Sequence, residues 1–240
     1  MQYSLLMPTA AILTIGNELT SGDVADTNGA WLAKRLERIG VRVTILAAVL
    51  DEIDAIARFI KREAAEADHL IVTGGLGGTP DDLTREAVAS AFGVEQEVVP
   101  ELADALRARF ARDPDYAARW AALPAGSEPI ENPLGGAPGF AIENVYVLPG
   151  LPAEMEAMFD VIEGRFAGAP PIAAWRRTYR TRESEIADVL VEAERRFPQV
   201  LVGSYPTFGE DGSHVEVVLK SSDEHELAAA AEFVSSALDA

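Results

Sequence analysis

The residues best placed to do chemistry in this sequence follow an apolar run, in the segment Thr73-Gly-Gly-Leu-Gly-Gly-Thr-Pro-Asp-Asp82. Glycines at this spacing let several backbone N–H groups point into one concavity, which suits a phosphate. The order of threonine, proline and two acids predicts that a helix begins at Thr79, and a helix N-terminus favours an anion at the same place. The predicted phosphate contacts are Gly74, Gly75, Gly77, Gly78 and Thr79.

Two carboxylates, Asp81 and Asp82, stand beside this predicted phosphate site. They would repel a bare phosphate, so we expect a divalent cation between the acids and the ligand. Hard cations such as Mg²⁺ use one or two carboxylates together with substrate phosphates. The alternative is that the two acids only stabilise the first turn of the predicted helix, and the sequence fits both interpretations equally.

A second polar turn follows an earlier apolar run, in Gly16-Asn-Glu-Leu-Thr-Ser-Gly22 and the nearby Asp26-Thr-Asn28. Glu18 is a candidate metal ligand, general base or acceptor for a nucleobase, and we favour such a role over simple turn chemistry. Asn28 is a candidate donor to a phosphate or sugar. For Asp26, capping of the next helix is the better interpretation.

Two further loops are rich in glycine and proline, in Asn132-Pro-Leu-Gly-Gly-Ala-Pro-Gly139 and Leu148-Pro-Gly-Leu-Pro-Ala-Glu154. Rigid turns beside a pocket would bring backbone groups close to a ligand, which makes Gly139, Pro149 and Gly150 ligand-binding candidates. Plain chain reversal is the alternative for either loop alone.

Composition excludes several classes of function. The 240 residues carry 20 Lys and Arg against 39 Asp and Glu, a formal charge of −19, so we expect no nucleic-acid partner and no acidic membrane surface. The absence of cysteine excludes thiolate metal sites, disulfides and a cysteine nucleophile. Lysine is scarce among the basic residues, and acidic surplus of this kind predicts a salt-adapted, halophilic surface. A GC-rich genome is the alternative explanation.

The elements that must position these residues alternate along the chain. Apolar runs predict strands over 10–15, 41–50, 69–72 and 145–148, with helices over 27–39, 51–60, 79–92 and within 100–122. Residues 124–140 hold too many glycines and prolines for a regular element. We predict an α/β fold, a three-layer, mainly parallel wound sheet whose ligands lie outside the carboxyl ends of the strands, followed by a small α+β unit.

The predicted domains are an N-terminal extension over 1–8, the wound domain over 9–168 and the small unit over 172–240, with a boundary at Gly168-Ala-Pro-Pro171. The sequence leaves open whether Met1 or Met7 is the true start. No apolar run reaches the length of a membrane span, and we expect a soluble, cytoplasmic protein.

Taken together, the four segments at 16–28, 73–82, 132–140 and 148–154 resemble the amino-terminal half of CinA, the competence/damage-inducible protein family, which has the MoaB/Mog molybdopterin-binding fold. The resemblance covers about residues 9–168. The tail, around Glu183-Ser-Glu-Ile186, is similar to the KH-like unit that follows this domain in CinA. The amidohydrolase domain of full-length CinA is not expected in this chain.

The resemblance implies metal-dependent hydrolysis of a nucleotide diphosphate such as ADP-ribose or FAD. Asp81, Asp82 and Glu18 would then be the catalytic residues and the ligands of a divalent metal, Mg²⁺ or Co²⁺. Alternatives are a molybdopterin-binding or adenylyl-transfer protein of molybdenum cofactor metabolism, and a non-catalytic nucleotide-binding module. The expected partner is a small nucleotide or pterin, and the resemblance also implies a homo-oligomer.

Overall fold

A computed structural model describes residues 7–166, 170–209 and 212–239. The chain divides into two compact units, a larger one of residues 8–36 and 41–166 and a smaller one that contains 170–239 and Glu37–Gly40. Residues 1–6, which make up most of the predicted N-terminal extension and include Met1, lie outside the described chain. Gly168 and Ala169 of the predicted boundary lie outside it as well.

The larger unit is built on a six-stranded sheet with the order β2-β1-β3-β8-β7-β6. Strands β2, β1, β3 and β8 are parallel, while β7 and β6 run antiparallel to their neighbours. The remaining pair, β4 and β5, forms a separate antiparallel ribbon. The strands are β1 (Thr9–Ile15), β2 (Arg42–Val49), β3 (His69–Thr73), β4 (Gln96–Val98), β5 (Ala122–Pro124), β6 (Glu128–Ile130), β7 (Gly139–Ile142) and β8 (Val145–Leu148).

Helices cover the sheet and bury its central strands. Every residue of β1 after Thr9 is buried, as a parallel strand between two helical layers requires. One face packs on α3 and α4 through Ile56, Ile60 and Val88. The helices of this unit are α1 (Asn17–Thr20), α2 (Thr27–Arg38), α3 (Ile53–Glu66), α4 (Thr84–Phe92), α5 (Pro100–Arg109), α6 (Pro114–Ala118) and α7 (Pro152–Ile162). The predicted mainly parallel α/β sheet is confirmed.

Two element predictions in this unit are wrong. The helix expected from Thr79 begins at Thr84, because Thr79 bonds to acids of its own loop rather than opening a helical turn. Residues 124–140 were expected to hold no element, yet they contain β6 and the start of β7. Pro129 is tolerated because β6 is the edge strand of the sheet, where a residue without an N–H can be accommodated.

The smaller unit has the order strand, helix, strand, strand, helix, which agrees with the predicted α+β class. Its elements are β9 (Ala173–Tyr179), α8 (Glu183–Arg196), β10 (Leu201–Gly209), β11 (Gly212–Ser221) and α9 (Glu224–Leu238). The strands form an antiparallel sheet in the order β10-β11-β9. Val215, Val217 and Leu219 of β11 supply its buried centre. Within the described part of the chain, every helix is too short or too polar to cross a bilayer.

Candidate functional site

The predicted site segments meet at one edge of the sheet, where the four parallel strands end. The N–H of Gly16, after β1, donates to the Val49 carbonyl at 3.1 Å, and the N–H of Gly74, after β3, donates to the Leu148 carbonyl at 3.1 Å. These bonds join the ends of β1 to β2 and of β3 to β8. Parallel strands therefore bring together loops that are far apart in the sequence.

The glycine loop, residues 74–83, begins with two glycines that no other residue could replace without strain. Gly74 has φ +109° and Gly75 has φ +64°, both in the region that side chains rarely adopt. A Cβ on Gly74 would lie 2.4 Å from the Ile15 carbonyl oxygen, and one on Gly75 would lie 2.3 Å from Thr84 Oγ1. The loop thus passes directly over β1 and the start of α4.

Asp82 holds the glycine loop closed. Its Oδ1 accepts the N–H of Gly77 at 2.8 Å, and its Oδ2 accepts the N–H of Thr79 at 2.7 Å. The Thr79 hydroxyl lies 2.5 Å from oxygens of both Asp82 and Asp81. Two N–H groups predicted to bind phosphate, those of Gly77 and Thr79, are therefore engaged within the loop.

Three other N–H groups of the glycine loop have no hydrogen-bond acceptor within the described chain. Those of Gly75, Leu76 and Gly78 donate to no acceptor among the residues that the structure describes. Such adjacent donors are the arrangement that binds an anion. At the start of α4, the N–H of Thr84 is already engaged, because it donates to the Gly75 carbonyl at 3.3 Å.

Arg85 supports the glycine loop from beneath and was missed by sequence reasoning. Arg85 is 8% exposed, and its two terminal nitrogens donate to the carbonyls of Leu76 at 2.9 Å and Gly77 at 2.7 Å. Burial lowers the pKa of Arg85, while the charge of Asp82 raises it. Arginine remains charged under these conditions, so a buried positive charge lies under the loop. Its place on the apolar face of α4, with Val88 one turn later, was the available signal.

A fourth carboxylate, Asp51, joins the three predicted ones, and it too was missed. It follows β2 and accepts the N–H of Asn17 at 2.8 Å. Burial raises the pKa of Asp51, the Asn17 bond opposes this, and the charges of Glu18, Asp81 and Asp82 raise the pKa further. Four carboxylates from three loops thus share one region. The signal in the sequence was an acid directly after a parallel strand.

The carboxylates fit a cation that is shared with a ligand better than one enclosed by protein. Among the described residues, no three acidic or imidazole groups are close enough to enclose a metal ion. A cation bound partly by phosphates needs only one or two carboxylates. Glu18 is exposed, and the Thr79 hydroxyl lowers the pKa of the exposed Asp81, which keeps it ionised. Asp82 is committed to the loop, so Glu18 and Asp81 fit the role and Asp82 positions the loop.

A cavity of about 150 Å³ lies beside the glycine loop. Asn28 crosses one side of it and donates from Nδ2 to the Gly150 carbonyl at 2.8 Å and to Thr73 Oγ1 at 3.2 Å. The Thr73 hydroxyl in turn donates to the Pro149 carbonyl at 2.7 Å. The donor that was predicted to meet a phosphate or sugar is therefore engaged, while Asn28 Oδ1 is buried without a partner. Gly150 lines the cavity.

Two of the predicted ligand-binding glycines are constrained by packing. Gly139 begins β7, where a Cβ would lie 2.3 Å from the Val147 carbonyl oxygen, and it does not line the cavity. Gly78 lies under the ring of Tyr116, 2.5 Å from the place a Cβ would take. Asn132 is buried and closes its own loop through the Ala137 carbonyl at 3.0 Å.

Loops gathered at the carboxyl edge of a wound parallel sheet define an α/β protein of the kind that binds small ligands outside its strand ends. A family model described as "Probable molybdopterin binding domain" matches residues 11–167, and the chain belongs to this family. A second model, "FAD synthase, middle domain", matches residues 178–240.

Relatives agree with the resemblance to CinA. The solved structure of the protein CinA from Thermoplasma acidophilum is 30% identical with a TM-score of 0.63, and the match covers 67% of this chain and 98% of that one. A CinA-like protein of Frankia casuarinae is 39% identical over 80% of this chain, but the chain spans only 48% of that relative. A protein of Archaeoglobus fulgidus is 37% identical, with 82% of this chain and 86% of the relative covered.

Proposed function

We propose that this protein is a metal-dependent pyrophosphatase that hydrolyses nucleotide diphosphates such as ADP-ribose or FAD. The observation that carries the proposal is the meeting of two opposite environments at the sheet edge. Unengaged N–H groups of the glycine loop suit a phosphate, and the carboxylates of Glu18, Asp51 and Asp81 suit a cation beside it.

The chain's own groups would divide the work of hydrolysis. The N–H groups of Gly75, Leu76 and Gly78 would hold a phosphoryl oxygen and stabilise the negative charge that develops on it. Arg85 would keep these groups aligned through the carbonyls it binds. Asp51, whose pKa is raised by burial and neighbouring charge, would accept the proton of the attacking water at Oδ1.

Glu18 and Asp81 would hold the divalent cation, Mg²⁺ or Co²⁺, together with the phosphates of the substrate. When bound, the cation neutralises phosphate charge and polarises the phosphoryl oxygens. In the reaction the water oxygen bonds to one phosphorus and the bridging P–O bond breaks. The two products are monophosphates, AMP and ribose 5-phosphate from ADP-ribose.

A second candidate is molybdopterin binding or adenylyl transfer, which the description of the matching family favours. The match of the small unit to the middle domain of FAD synthase instead favours a flavin nucleotide. A non-catalytic nucleotide-binding module is the third. A homo-oligomer, a cytoplasmic location and a salt-adapted surface belong to the same proposal.

The test is to incubate the full chain with ADP-ribose or FAD, with Mg²⁺ or Co²⁺, at low and high KCl, and to measure AMP. Asp81→Asn should raise the metal concentration needed for turnover about 10–100-fold without changing the thermal midpoint. The matched control is Asp188→Asn, an exposed acid on α8. Absence of AMP under every condition would refute hydrolysis, and molybdopterin binding in its place would support the second candidate.

A further inference from the structure

One aromatic side chain, Tyr116 of α6, lies against the glycine loop at Gly78. A Cβ on Gly78 would lie 2.5 Å from both the Tyr116 hydroxyl and the ring carbon that bears it. Gly78 is not among the glycines with positive φ, so its backbone conformation does not require glycine. The reason for glycine at this position is therefore the ring, because any side chain here would have to displace the end of Tyr116.

Packing holds the Tyr116 ring in this position. Its centroid lies 5.7 Å from that of Trp120 at an interplanar angle of 71°, and Trp120 packs edge-on against Phe110 at 5.2 Å. Trp120 is buried. Edge-to-face pairs of this kind favour one orientation of a ring over others. The hydroxyl at the end of the ring is therefore directed by buried neighbours and does not turn freely as on an isolated surface side chain.

The Tyr116 hydroxyl lies at the part of the loop whose carbonyls bind Arg85. Burial lowers the pKa of Arg85, and Tyr116 is one of the groups near enough to raise it. Arg85 donates to two carbonyls of the loop, so its proximity and the contact with Gly78 both place the hydroxyl beside residues 76–78. This is the stretch that contains two of the three N–H groups without an acceptor in the described chain.

The hydroxyl of Tyr116 is unpartnered and open to a ligand. It forms no hydrogen bond to any residue that the structure describes. Tyr116 is 40% exposed and Gly78 is half-buried, so their contact lies at the surface of the molecule. A phenol donates one hydrogen bond, and a bond that ends on an anion is stronger than one between neutral groups. The lobe thus brings a fourth donor to the three N–H groups of the loop.

We propose that the Tyr116 hydroxyl donates a hydrogen bond to the phosphoryl oxygen that the N–H of Gly78 holds, which makes Tyr116 a further substrate-contacting residue. The inference rests on the proposed function, because it concerns the phosphate that the glycine loop would bind there. The alternative role of Tyr116 is to fill the space above Gly78, for which the ring suffices and the hydroxyl is not needed. The two roles therefore differ in one oxygen atom.

Tyr116→Phe separates the two roles, because it removes the hydroxyl and keeps the ring over Gly78. Titration calorimetry measures the binding of inorganic phosphate to the full chain in buffer with Mg²⁺. We expect the Kd of Tyr116→Phe to be about 10-fold higher than that of the wild type, since a hydrogen bond to a charged group is lost, and the thermal midpoint to stay the same. The matched control is Tyr205→Phe, a 55% exposed tyrosine of β10, which should bind phosphate like the wild type.

A second variant, Gly78→Ala, tests the same contact from the side of the loop. Its methyl group would take the place next to the Tyr116 hydroxyl and push the ring away, so phosphate affinity should fall. Adding Tyr116→Phe to Gly78→Ala should then weaken binding no further, because the hydroxyl no longer reaches the ligand. If Gly78→Ala does not fold, Tyr116→Phe still decides the inference.

Equal phosphate affinity in the wild type and Tyr116→Phe would overturn the inference, and so would losses that simply add in the double variant or a wild type that binds no phosphate. Release of AMP from ADP-ribose or FAD decides the pyrophosphatase separately. Weaker phosphate binding by Tyr116→Phe in a protein that releases no AMP would support the inference and refute the pyrophosphatase. AMP release at the same kcat/KM by both proteins, with equal phosphate affinity, would do the reverse.

Discussion

Carboxylates at the sheet edge of the larger unit differ from those of the smaller unit in what balances them. In the smaller unit Glu192 bonds to Arg195 at 2.8 Å and to Arg196 at 2.5 Å, and these bonds lower its pKa to about 2. Within the described chain, no ion pair to lysine or arginine balances Glu18, Asp51 or Asp81. There, burial and neighbouring acids raise the pKa of Asp51 instead.

The acidic residues behind the net charge of −19 are therefore of two kinds. Acids that are paired with arginine on the surface add little stability and keep the protein hydrated. Acids left together without a cation raise the free energy of the folded chain. A fold keeps such a cluster at little cost when a ligand or metal ion balances it, which is why the edge and not the small unit is the candidate site.

The largest expected effect is at Arg85, the buried positive charge under the glycine loop. Arg85→Met should lower the free energy of unfolding by about 2–3 kcal/mol, because the Leu76 and Gly77 carbonyls lose their charged donors. Denaturant unfolding followed by tryptophan fluorescence measures this. Arg85→Lys should recover part of the loss, since one charged donor remains. An unchanged unfolding midpoint in Arg85→Met would show that the loop does not depend on this charge.

A smaller effect of opposite sign is expected at Asp51. Its pKa in the folded chain is raised above the ordinary 3.8, so the wild type loses stability as the pH rises from 3.8 through that higher value. Asp51→Asn should remove this loss and be more stable than the wild type at pH 7 in metal-free buffer. Thermal melts across pH measure the gain, which should shrink in high KCl as repulsion is screened. A less stable variant at pH 7 would show that the charge of Asp51 does not destabilise the folded chain.

The smallest effect is expected at Glu192, where the sign reverses. Its pKa is lowered from 4.5 to about 2, so its contribution is complete above pH 4.5 and is lost as the pH falls through about 2. Glu192→Gln should therefore be slightly less stable at pH 7 and should approach the wild type only as the pH falls below about 2. The same melts measure this, with Glu194→Gln on the same helix as the control. A stabilised Glu192→Gln would erase the contrast with Asp51.

The architecture could be predicted because its strands have a simple physical signature. Runs such as Ala10–Ile15 and His69–Val72 are apolar except for Thr14 and His69, as is typical of strands buried on both faces. The short β6 could not be found in the same way, since three residues give no pattern and Pro129 argues against a strand.

The structure brings the predicted candidate segments together at one sheet edge, but their hydrogen bonds differ from those that the sequence indicates. Thr79, Pro80 and two acids are the signals of a helix start, and here the same groups close a loop on Asp82 instead. Arg85 binds the loop carbonyls from α4, and its signal in the sequence is limited to its place on the apolar face of that helix. The sequence places Asp51 at the start of a predicted helix. Its position beside Asn17 depends on the pairing of β2 with β1, which a local pattern does not show.

The bond between Asn28 and the Gly150 carbonyl joins residues 122 positions apart. During synthesis the cavity therefore stays open on one side until β8 and the turn after it have left the ribosome. Contacts at such separation form late, since the chain between them must be ordered first. A nascent chain ending before residue 145 would hold the glycine loop but neither the partner of Asn28 nor the end of β8. The cavity is thus completed only after the last strand of the sheet, and a product that ends before residue 145 would lack the wall formed by Gly150 and Pro152.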